Sequence, residues 1–364
     1  MINKRILFFM PSIEGGGVEK NLFIVSNHFA KKFKKVDLIT TSTEFKNKFD
    51  KRINIISPKI NFWKRYGRRI KYLICLTLLI KTLLKNKEIK VFSFQANIYC
   101  LIVCKLLNAK IVVRSNSAPI GWSNNFLKLF IFKRILKLAD TTMVNSLDFK
   151  KELKKRFNVN SKVIYNPLNT KEILKLSKKK IKENFFKKKS LNIINVGRFT
   201  DQKDHLTLLK AINLIKFKID IRLIIIGRGI NYDLMKNYIK HNKLEKIVKL
   251  VNFTKNPFPY IKKSQLFILS STYEGLPNVL LEALVLRKFI ISSNCQTGPS
   301  EILLNGNGGL LFKVKDHRAL SKKILFFSKN KRKCQILLKN SINSLSRFDS
   351  KLNLKKYTDL FLKL

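Results

Sequence analysis

Short apolar segments alternate with amphipathic helical patterns along most of this chain, and this alternation constrains its fold most strongly. The chain opens with an apolar segment at 5–10, a glycine-containing loop at 11–17 and a helical pattern at 18–32. Parallel strands need a crossover between them, usually a helix, and such sheets are covered on both faces. The sequence therefore predicts a parallel sheet, with further strands at 36–40, 91–94, 111–113, 142–144 and 163–165.

A second series of the same kind follows a lysine-rich stretch and predicts a second parallel sheet. The fold class is therefore α/β, with two Rossmann-like doubly wound domains facing across a cleft. Ligands of such sheets bind beyond the carboxyl ends of the strands. The predicted strands are 192–196, 222–226, 247–251, 266–269, 289–292 and 309–312. The predicted domains are 1–168 and 191–340, with a basic connection at 169–190 and a C-terminal helix at 341–364 that packs back toward the first domain.

Composition limits the kinds of partner. The formal net charge is +53, from 75 Lys and Arg against 22 Asp and Glu, which indicates an anionic environment such as a membrane surface or an acidic substrate. Codon bias of an AT-rich genome is the alternative source of surface lysines. No recognition helix or aromatic sheet face is discernible, so we expect no nucleic-acid partner, although the charge keeps a basic nucleic-acid-binding protein as an alternative.

Cysteine spacing and hydropathy predict the compartment. The five cysteines include no CxxC, which indicates buried, reduced thiols and neither a zinc site nor a disulfide framework. No apolar run approaches the roughly 20 residues that span a bilayer, and no signal-peptide pattern precedes the first strand. The sequence therefore predicts a cytoplasmic protein.

Two basic segments rich in apolar residues predict contact with an anionic membrane. In 59–90, the aromatic residues Phe62, Trp63, Tyr66 and Tyr72 interleave with Lys and Arg, and 126–138 has the same character. Such mixtures suit a bilayer interface. The alternative for both segments is a helix that packs on a sheet.

Three glycine-containing loops follow predicted strands. Gly15, Gly16 and Gly17 precede the first helix, where backbone amides can approach a phosphate; the alternative is a simple tight turn. Gly197 is followed by Arg198 and Lys203, two cations that can hold a diphosphate. Gly227 opens a third turn that would let a ligand lie close to the backbone.

Two carboxylates, Glu274 and Glu282, stand on either side of a turn that leads into an apolar helix beginning near Pro277. Carboxylates accept hydrogen bonds from hydroxyl groups, so the pair suits a sugar or a ribose. The alternative is that Glu274 caps the helix and Glu282 is a solvated surface residue.

Together, these motifs resemble the family 4 retaining glycosyltransferases of GT-B fold over nearly the whole chain. Segments 163–167 (VIYNP), 297–302 (TGPSEI) and 308–312 (GGLLF) support the resemblance. It implies that Glu274 contacts the transferred sugar, that Glu282 contacts the ribose, and that Arg198 and Lys203 hold the diphosphate. Further implied donor contacts are Gly16, Gly17, Gly227, Gly275, Leu276, Asn278 and Val279.

The resemblance also implies the reaction. The donor is a nucleotide sugar, UDP-linked in our expectation, and the acceptor is lipid-linked or a polysaccharide of the O-antigen, capsule or lipopolysaccharide type. No cofactor and no metal are expected, and the sequence has no Asp-x-Asp pair of the kind that metal-dependent GT-A enzymes use. The basic first domain would place the enzyme on the inner face of the cell membrane.

One departure from the family concerns a histidine that many relatives carry after a strand of the first domain. Here the corresponding stretch contains Arg114 and Asn116, which either replace it as a sugar or phosphate contact or belong to a purely structural loop. His28 and His205 are predicted to be structural. A catalytically inactive GT-B scaffold is the remaining alternative, and the four intact charged residues of the motifs argue against it.

Overall fold

The computed structural model describes residues 1–14, 16–59, 67–86, 88–116 and 125–364. These residues form two compact units: the first contains Met1–Pro167 and Ser350–Leu364, and the second contains Leu168–Asp349. The chain thus leaves the first unit once, at Pro167, and returns to it at Ser350. Each unit contains a sheet with helices packed on it.

The first sheet has seven strands in the order β3-β2-β1-β4-β5-β6-β7, all parallel. The elements are β1 (Ile2–Phe9), α1 (Gly17–Lys32), β2 (Phe33–Ile39), β3 (Ile53–Ile56), α2 (Arg68–Lys85), β4 (Lys90–Ser93), α3 (Asn97–Leu106), β5 (Ile111–Arg114), α4 (Phe126–Leu136), β6 (Thr141–Val144), α5 (Leu147–Phe157) and β7 (Ser161–Val163). A 3₁₀ helix, Thr43–Lys48, lies between β2 and β3.

The second sheet has six parallel strands in the order β10-β9-β8-β11-β12-β13. The elements are α6 (Thr170–Ser177), β8 (Leu191–Val196), α7 (His205–Ile215), β9 (Ile221–Gly227), α8 (Tyr232–His241), β10 (Val248–Asn252), α9 (Phe258–Lys263), β11 (Leu266–Leu269), α10 (Asn278–Val285), β12 (Phe289–Ser293), α11 (Pro299–Ile302), β13 (Leu310–Phe312), α12 (His317–Lys329) and α13 (Lys331–Asn343). The last helix, α14 (Ser350–Leu362), belongs to the first unit.

The predicted fold class, two doubly wound parallel sheets, is confirmed, with one strand missed. The strand β3 pairs with β2 at the edge of the first sheet. Only four residues long, it carries a polar residue, Asn54, whose Nδ2 donates to Asp37 Oδ1 at 2.7 Å. Asn54 is exposed, and four residues are too few to show a clear apolar pattern, which is why the sequence did not reveal this edge strand.

Helices cover both faces of the first sheet. On one face α1 and α14 pack together, with the Phe29 and Phe361 rings 5.3 Å apart and Tyr357 fully buried. On the other face, α2, α3 and α5 bury residues such as Leu79 and Leu101. The cysteines, all of which are buried and unbridged as expected, lie in both units.

Residues 169–190, predicted as a connection, group with the second unit and include α6. Residues 341–349 also group with the second unit, whereas 350–364 group with the first. In the described ranges, no helix is both long enough and apolar enough to cross a membrane.

Candidate active site in the second unit

The carboxyl ends of four neighbouring strands, β9, β8, β11 and β12, carry the motif loops of the second unit. The loop after β8 is fixed from below by the buried ring of Phe199 and by Gly197, whose N–H donates to Ile226 O at 3.0 Å. A 3₁₀ turn, Asp201–Lys203, leads into α7, where Asp204 caps the helix by accepting from Thr207 N. The predicted diphosphate-binding loop is therefore held rigidly at the edge of the sheet.

Gly227 is required for packing between two loops. A Cβ at this position would lie 1.9 Å from Gly197 O and 2.6 Å from the Phe199 ring. Gly229 has φ +151°, and a Cβ there would lie 2.3 Å from Phe199 O. Packing against the loop after β8 therefore explains why glycine stands at both positions, which differs from the predicted close approach of a ligand. Donor contact by Gly227 stays a prediction.

The loop after β11 is bonded to the loop after β8, mainly through Gln202. Thr272 N donates to Gln202 O at 2.8 Å, and Gln202 Nε2 donates to Tyr273 O at 2.9 Å. Ser270 Oγ adds a bond to Lys203 O at 3.0 Å. These bonds bracket Lys203 and Glu274 and bring them together.

Lys203 Nζ forms an ion pair with Glu274 Oε1. The two side chains are only 14% and 9% exposed, so solvent screens the pair weakly. Arg198 is exposed, and its Nη2 lies 3.5 Å from Gln202 Oε1. The structure therefore joins the predicted sugar-contacting carboxylate to a predicted diphosphate-binding cation, with the second cation in the same loop.

The backbone around Glu274 is held by a segment after β12. Thr297 has φ +64°, rare for a β-branched residue, and its Oγ1 donates to Glu274 O at 2.6 Å. Gly298 has φ +88°, and a Cβ there would lie 2.0 Å from Gly275 O. Sequence reasoning found Thr297 only as part of a family motif; the glycine that follows it was the one local sign of an unusual turn.

Glu282 lies on α10 and is 5% exposed, while Glu274 is 7% exposed. The alternative in which Glu282 is a solvated surface residue and Glu274 a helix cap is therefore wrong, since Pro277 precedes α10 without any side-chain cap. The other predicted donor contacts lie in this segment: Gly275 and Leu276 are buried, and Asn278 and Val279 are half-buried.

His205 is buried below the same loops, and its Nε2 lies 3.1 Å from Asn195 Oδ1. Burial, with the nearby charge of Lys203, lowers the pKa of His205 to about 3. The imidazole is therefore neutral and inaccessible at neutral pH. In the first unit, His28 Nε2 lies 3.0 Å from Thr358 Oγ1 on α14.

The predicted glycine contacts of the first unit lie at the start of α1. Gly16 is the N-cap of α1 and Gly17 its first residue, while Gly15 lies outside the described residues. A Cβ on Gly16 would meet only the flexible end of Glu19, so packing does not explain this glycine. Contact of Gly16 and Gly17 with a diphosphate stays a prediction.

Arg114 is fully buried, and its Nη2 donates to Asn166 Oδ1 at 2.6 Å. It also donates to Asn116 Oδ1, while Asn116 Nδ2 donates to Phe94 O at 2.8 Å. The hypothesis that Arg114 contacts a sugar or phosphate is therefore wrong. The structure supports the structural alternative for this loop, and a donor contact by Asn116 remains only a prediction.

A metal ion would need several acidic, histidine or cysteine side chains close together. Across the described ranges, no three of them come together in a way that could hold one. The charged groups that the motifs bring together in the second unit are a pair of cations with carboxylates.

Known proteins resemble both units. The family model described as "Glycosyltransferase Family 4" matches residues 15–172, and that described as "Glycosyl transferases group 1" matches residues 177–344. An uncharacterized glycosyltransferase of Methanocaldococcus jannaschii is 32% identical over 54% of this chain, and the match spans about half, 53%, of that relative. The N-acetylgalactosamine-N,N'-diacetylbacillosaminyl-diphospho-undecaprenol 4-alpha-N-acetylgalactosaminyltransferase of Campylobacter jejuni is 28% identical over 67% of this chain and 68% of its own length.

Solved structures share the fold at low identity. HepE of Anabaena, crystallised with UDP, has a TM-score of 0.79 at 16% identity, covering 99% of this chain and 100% of HepE. A mutant of TarM of S. aureus, in a complex that includes UDP, has a TM-score of 0.77 at 14% identity, covering 98% of this chain and 99% of TarM. With both family models and both sheets in agreement, the chain belongs to the glycosyltransferases of GT-B fold and family 4 type.

Proposed function

We propose that this protein is a retaining glycosyltransferase that moves a hexose or N-acetylhexosamine from a nucleotide sugar to a lipid-linked or polysaccharide acceptor, without a metal. The proposal depends on the ion pair between Lys203 and Glu274, with Arg198 in the same loop as Lys203. A carboxylate suited to a sugar hydroxyl and two cations suited to a diphosphate therefore lie at one edge of one sheet.

The proposed chemistry follows from where negative charge develops. As the bond between the anomeric carbon and the diphosphate oxygen breaks, charge grows on the phosphate oxygens. Fixed cations at Arg198 and Lys203 stabilise that charge in the transition state without reorganisation. Glu274 accepts hydrogen bonds from the sugar, Glu282 accepts them from the ribose, and Gly16 and Gly17 of the first unit contact the diphosphate.

Retention is proposed to follow from attack on the same face of the sugar. The acceptor hydroxyl oxygen bonds to the anomeric carbon as the diphosphate departs, and its proton passes to a phosphate oxygen of the leaving group. No protein base is needed for this step, which agrees with the buried, neutral state of His205.

The relatives support the donor and acceptor classes. HepE was crystallised with UDP, and two Campylobacter jejuni relatives, named as N-acetylgalactosaminyltransferases, carry undecaprenol-linked acceptors in their names. We propose a UDP-linked donor and an undecaprenyl-diphosphate type of acceptor for this chain, with the enzyme resting on the inner face of the cell membrane.

The first experiment is thermal stabilisation by UDP, GDP, ADP and their sugar conjugates, on the wild type and on Glu282→Ala. We expect stabilisation by the uridine compounds, weakened in the variant because the ribose loses its partner. Stabilisation by none of the nucleotides would contradict a donor site and favour an inactive scaffold; salt-sensitive DNA binding in its place would favour a nucleic-acid-binding protein.

The second experiment tests transfer itself. Incubation with UDP-N-acetylglucosamine, UDP-N-acetylgalactosamine or UDP-glucose and a polyprenyl-diphosphate sugar acceptor should give a product whose new linkage has the donor's anomeric configuration. Transfer should persist in EDTA. Inverted configuration, or loss of transfer that Mg²⁺ restores, would contradict the proposed mechanism.

A further inference from the structure

Three helices of the first unit expose large apolar side chains to solvent. On α3, Tyr99 and Leu106 are 56% and 77% exposed, and on α4, Leu127 and Ile131 are 70% and 51% exposed. Leu84 on α2 is exposed to a similar degree. Single exposed apolar residues are normal on a protein surface, whereas several on neighbouring helices indicate a surface that contacts something else.

The exposed residues lie on the outward faces of helices whose inward faces already build the core. Cys100, Leu101 and Cys104 of α3 are fully buried, whereas Tyr99, Ile102 and Leu106 recur at helical spacing on its opposite side. These outward residues therefore contribute nothing to the packing of the sheet. Their apolar character needs another explanation.

The three outward faces are neighbours. The helix α3 packs against both α2 and α4, so its outward face joins theirs. We name the combined surface of α2, α3 and α4 the α2–α4 face. The sequence predicts membrane contact for 59–90 and 126–138 but not for α3, which lies between them along the chain. Residues 60–66 and 87 of the first segment are outside the described residues.

The charged residues of the three helices are all basic, although Arg68 and Lys105 form ion pairs with Glu14 and Asp140, which lie outside these helices. The sequences of α2, α3 and α4 contain Lys and Arg but no Asp or Glu. Lys81, Lys85, Lys128 and Arg134 are exposed on them, and the Arg134 guanidinium lies over the Phe130 ring at 5.2 Å. Cations beside exposed apolar groups are typical of surfaces that enter the headgroup region of a bilayer.

Charge also distinguishes between the possible binding partners of the α2–α4 face. A second copy of this chain would bring an equally basic face against the first, within a molecule of net charge +53, and would be repelled. An anionic bilayer offers both complementary charge and an apolar interior. We propose that the α2–α4 face binds the surface of an anionic lipid bilayer, with α3 at its centre.

This inference deepens the proposed function, since a bilayer-bound enzyme meets its lipid-linked acceptor in the plane of the membrane. The face belongs to the first unit, whereas Arg198, Lys203, Glu274 and Glu282 belong to the second. Bilayer binding can therefore be measured apart from donor binding.

The test is sedimentation of the full chain with vesicles of phosphatidylcholine alone, or of phosphatidylcholine and phosphatidylglycerol in equal amounts. The wild type should bind the anionic vesicles and bind the neutral ones far more weakly. The double variant Leu106→Ser, Leu127→Ser should bind the anionic vesicles at least about tenfold more weakly than the wild type does, because two exposed apolar groups no longer enter the bilayer. Lys81→Gln with Lys85→Gln should weaken binding and reduce its dependence on salt.

A matched control removes exposed apolar residues elsewhere. Phe217 and Ile336, 93% and 64% exposed, lie in the second unit, and Phe217→Ser with Ile336→Ser should bind vesicles as the wild type does. Undiminished binding by the Leu106, Leu127 variant would overturn the proposal. So would equal binding to neutral vesicles, or a wild-type dimer that this variant converts to a monomer in light scattering.

Stabilisation by UDP without vesicles separates the two proposals. A variant that keeps this stabilisation but no longer sediments with vesicles is folded and has lost only the bilayer contact. If the wild type binds vesicles but no nucleotide, that result would contradict the proposed function and would still support bilayer binding by the α2–α4 face.

Discussion

From the ion pair between Lys203 and Glu274 we predict how a carboxylate substitution changes the binding of donor and product. A diphosphate that binds Lys203 must compete with the Glu274 carboxylate, which already contacts Nζ. The neutral variant Glu274→Gln removes that competitor and also removes a negative charge near the bound phosphates. We therefore expect Glu274→Gln to bind UDP more tightly than the wild type, although its turnover should fall because the sugar loses its carboxylate contact.

The size of the effect follows from the burial of the pair. Two unit charges about 4 Å apart at an effective dielectric constant near 20 attract by about 4 kcal/mol. Desolvation offsets most of that attraction in a pair as buried as this one, with 14% and 9% exposure. If breaking the ion pair costs UDP about 1.4 kcal/mol of binding free energy in the wild type, Glu274→Gln recovers that amount, and the dissociation constant of UDP becomes about tenfold smaller.

Isothermal titration with UDP measures the constant, and steady-state transfer measures turnover. Glu183→Gln is the matched control, since Glu183 is also buried and lies 3.5 Å from the Lys249 ammonium in the same unit. It should leave UDP affinity unchanged. In a Lys203→Met background, Glu274→Gln should lose most of its effect. Unchanged or weaker UDP binding by Glu274→Gln alone would refute the competition.

Three further predictions concern the same loops. Lys203→Ala should lower kcat by roughly 10²-fold or more in protein that is still folded by circular dichroism, because a fixed cation is lost from the leaving group; unchanged turnover would contradict its role. Gly227→Ala should lower the free energy of unfolding in urea by about 1–3 kcal/mol, since its Cβ would lie 1.9 Å from Gly197 O, whereas Gly67→Ala, with open space around its Cβ, should not. The pKa of His205 is lowered from 6.5 to about 3 on folding, so the stability that it contributes is complete above pH 6.5 and declines as the pH falls toward 3. The decline approaches about 1.4 kcal/mol per pH unit. His205→Gln should flatten this dependence in urea denaturation across that range, and an unaltered slope would show that His205 is protonated in the native state.

The sheets could be predicted from the sequence because buried parallel strands are short apolar runs bounded by turns and helices. The edge strand Ile53–Ile56 could not, because its identity depends on pairing with β2. The motif residues Lys203 and Glu274 were found by residue type and spacing. The hydrogen bonds that Gln202 and Thr297 make to the Glu274 loop could not be found in this way, because they join loops that follow different strands.

The two points at which the chain passes between the units lie side by side: Leu168 N donates to Phe348 O, and Leu168 bridges Asp349. The second unit is therefore an insertion within the first, and this sets an order for folding during synthesis. The second unit is complete once residue 349 has left the ribosome. The first unit still lacks α14, and with it Tyr357 and Phe361 of its core, until residues 350–362 follow. Domains made at the ribosome ordinarily finish in the order of their first residues. In this chain the unit that begins first finishes last, and the apolar surface of α1 and of the sheet that α14 covers stays exposed throughout the synthesis of the other unit.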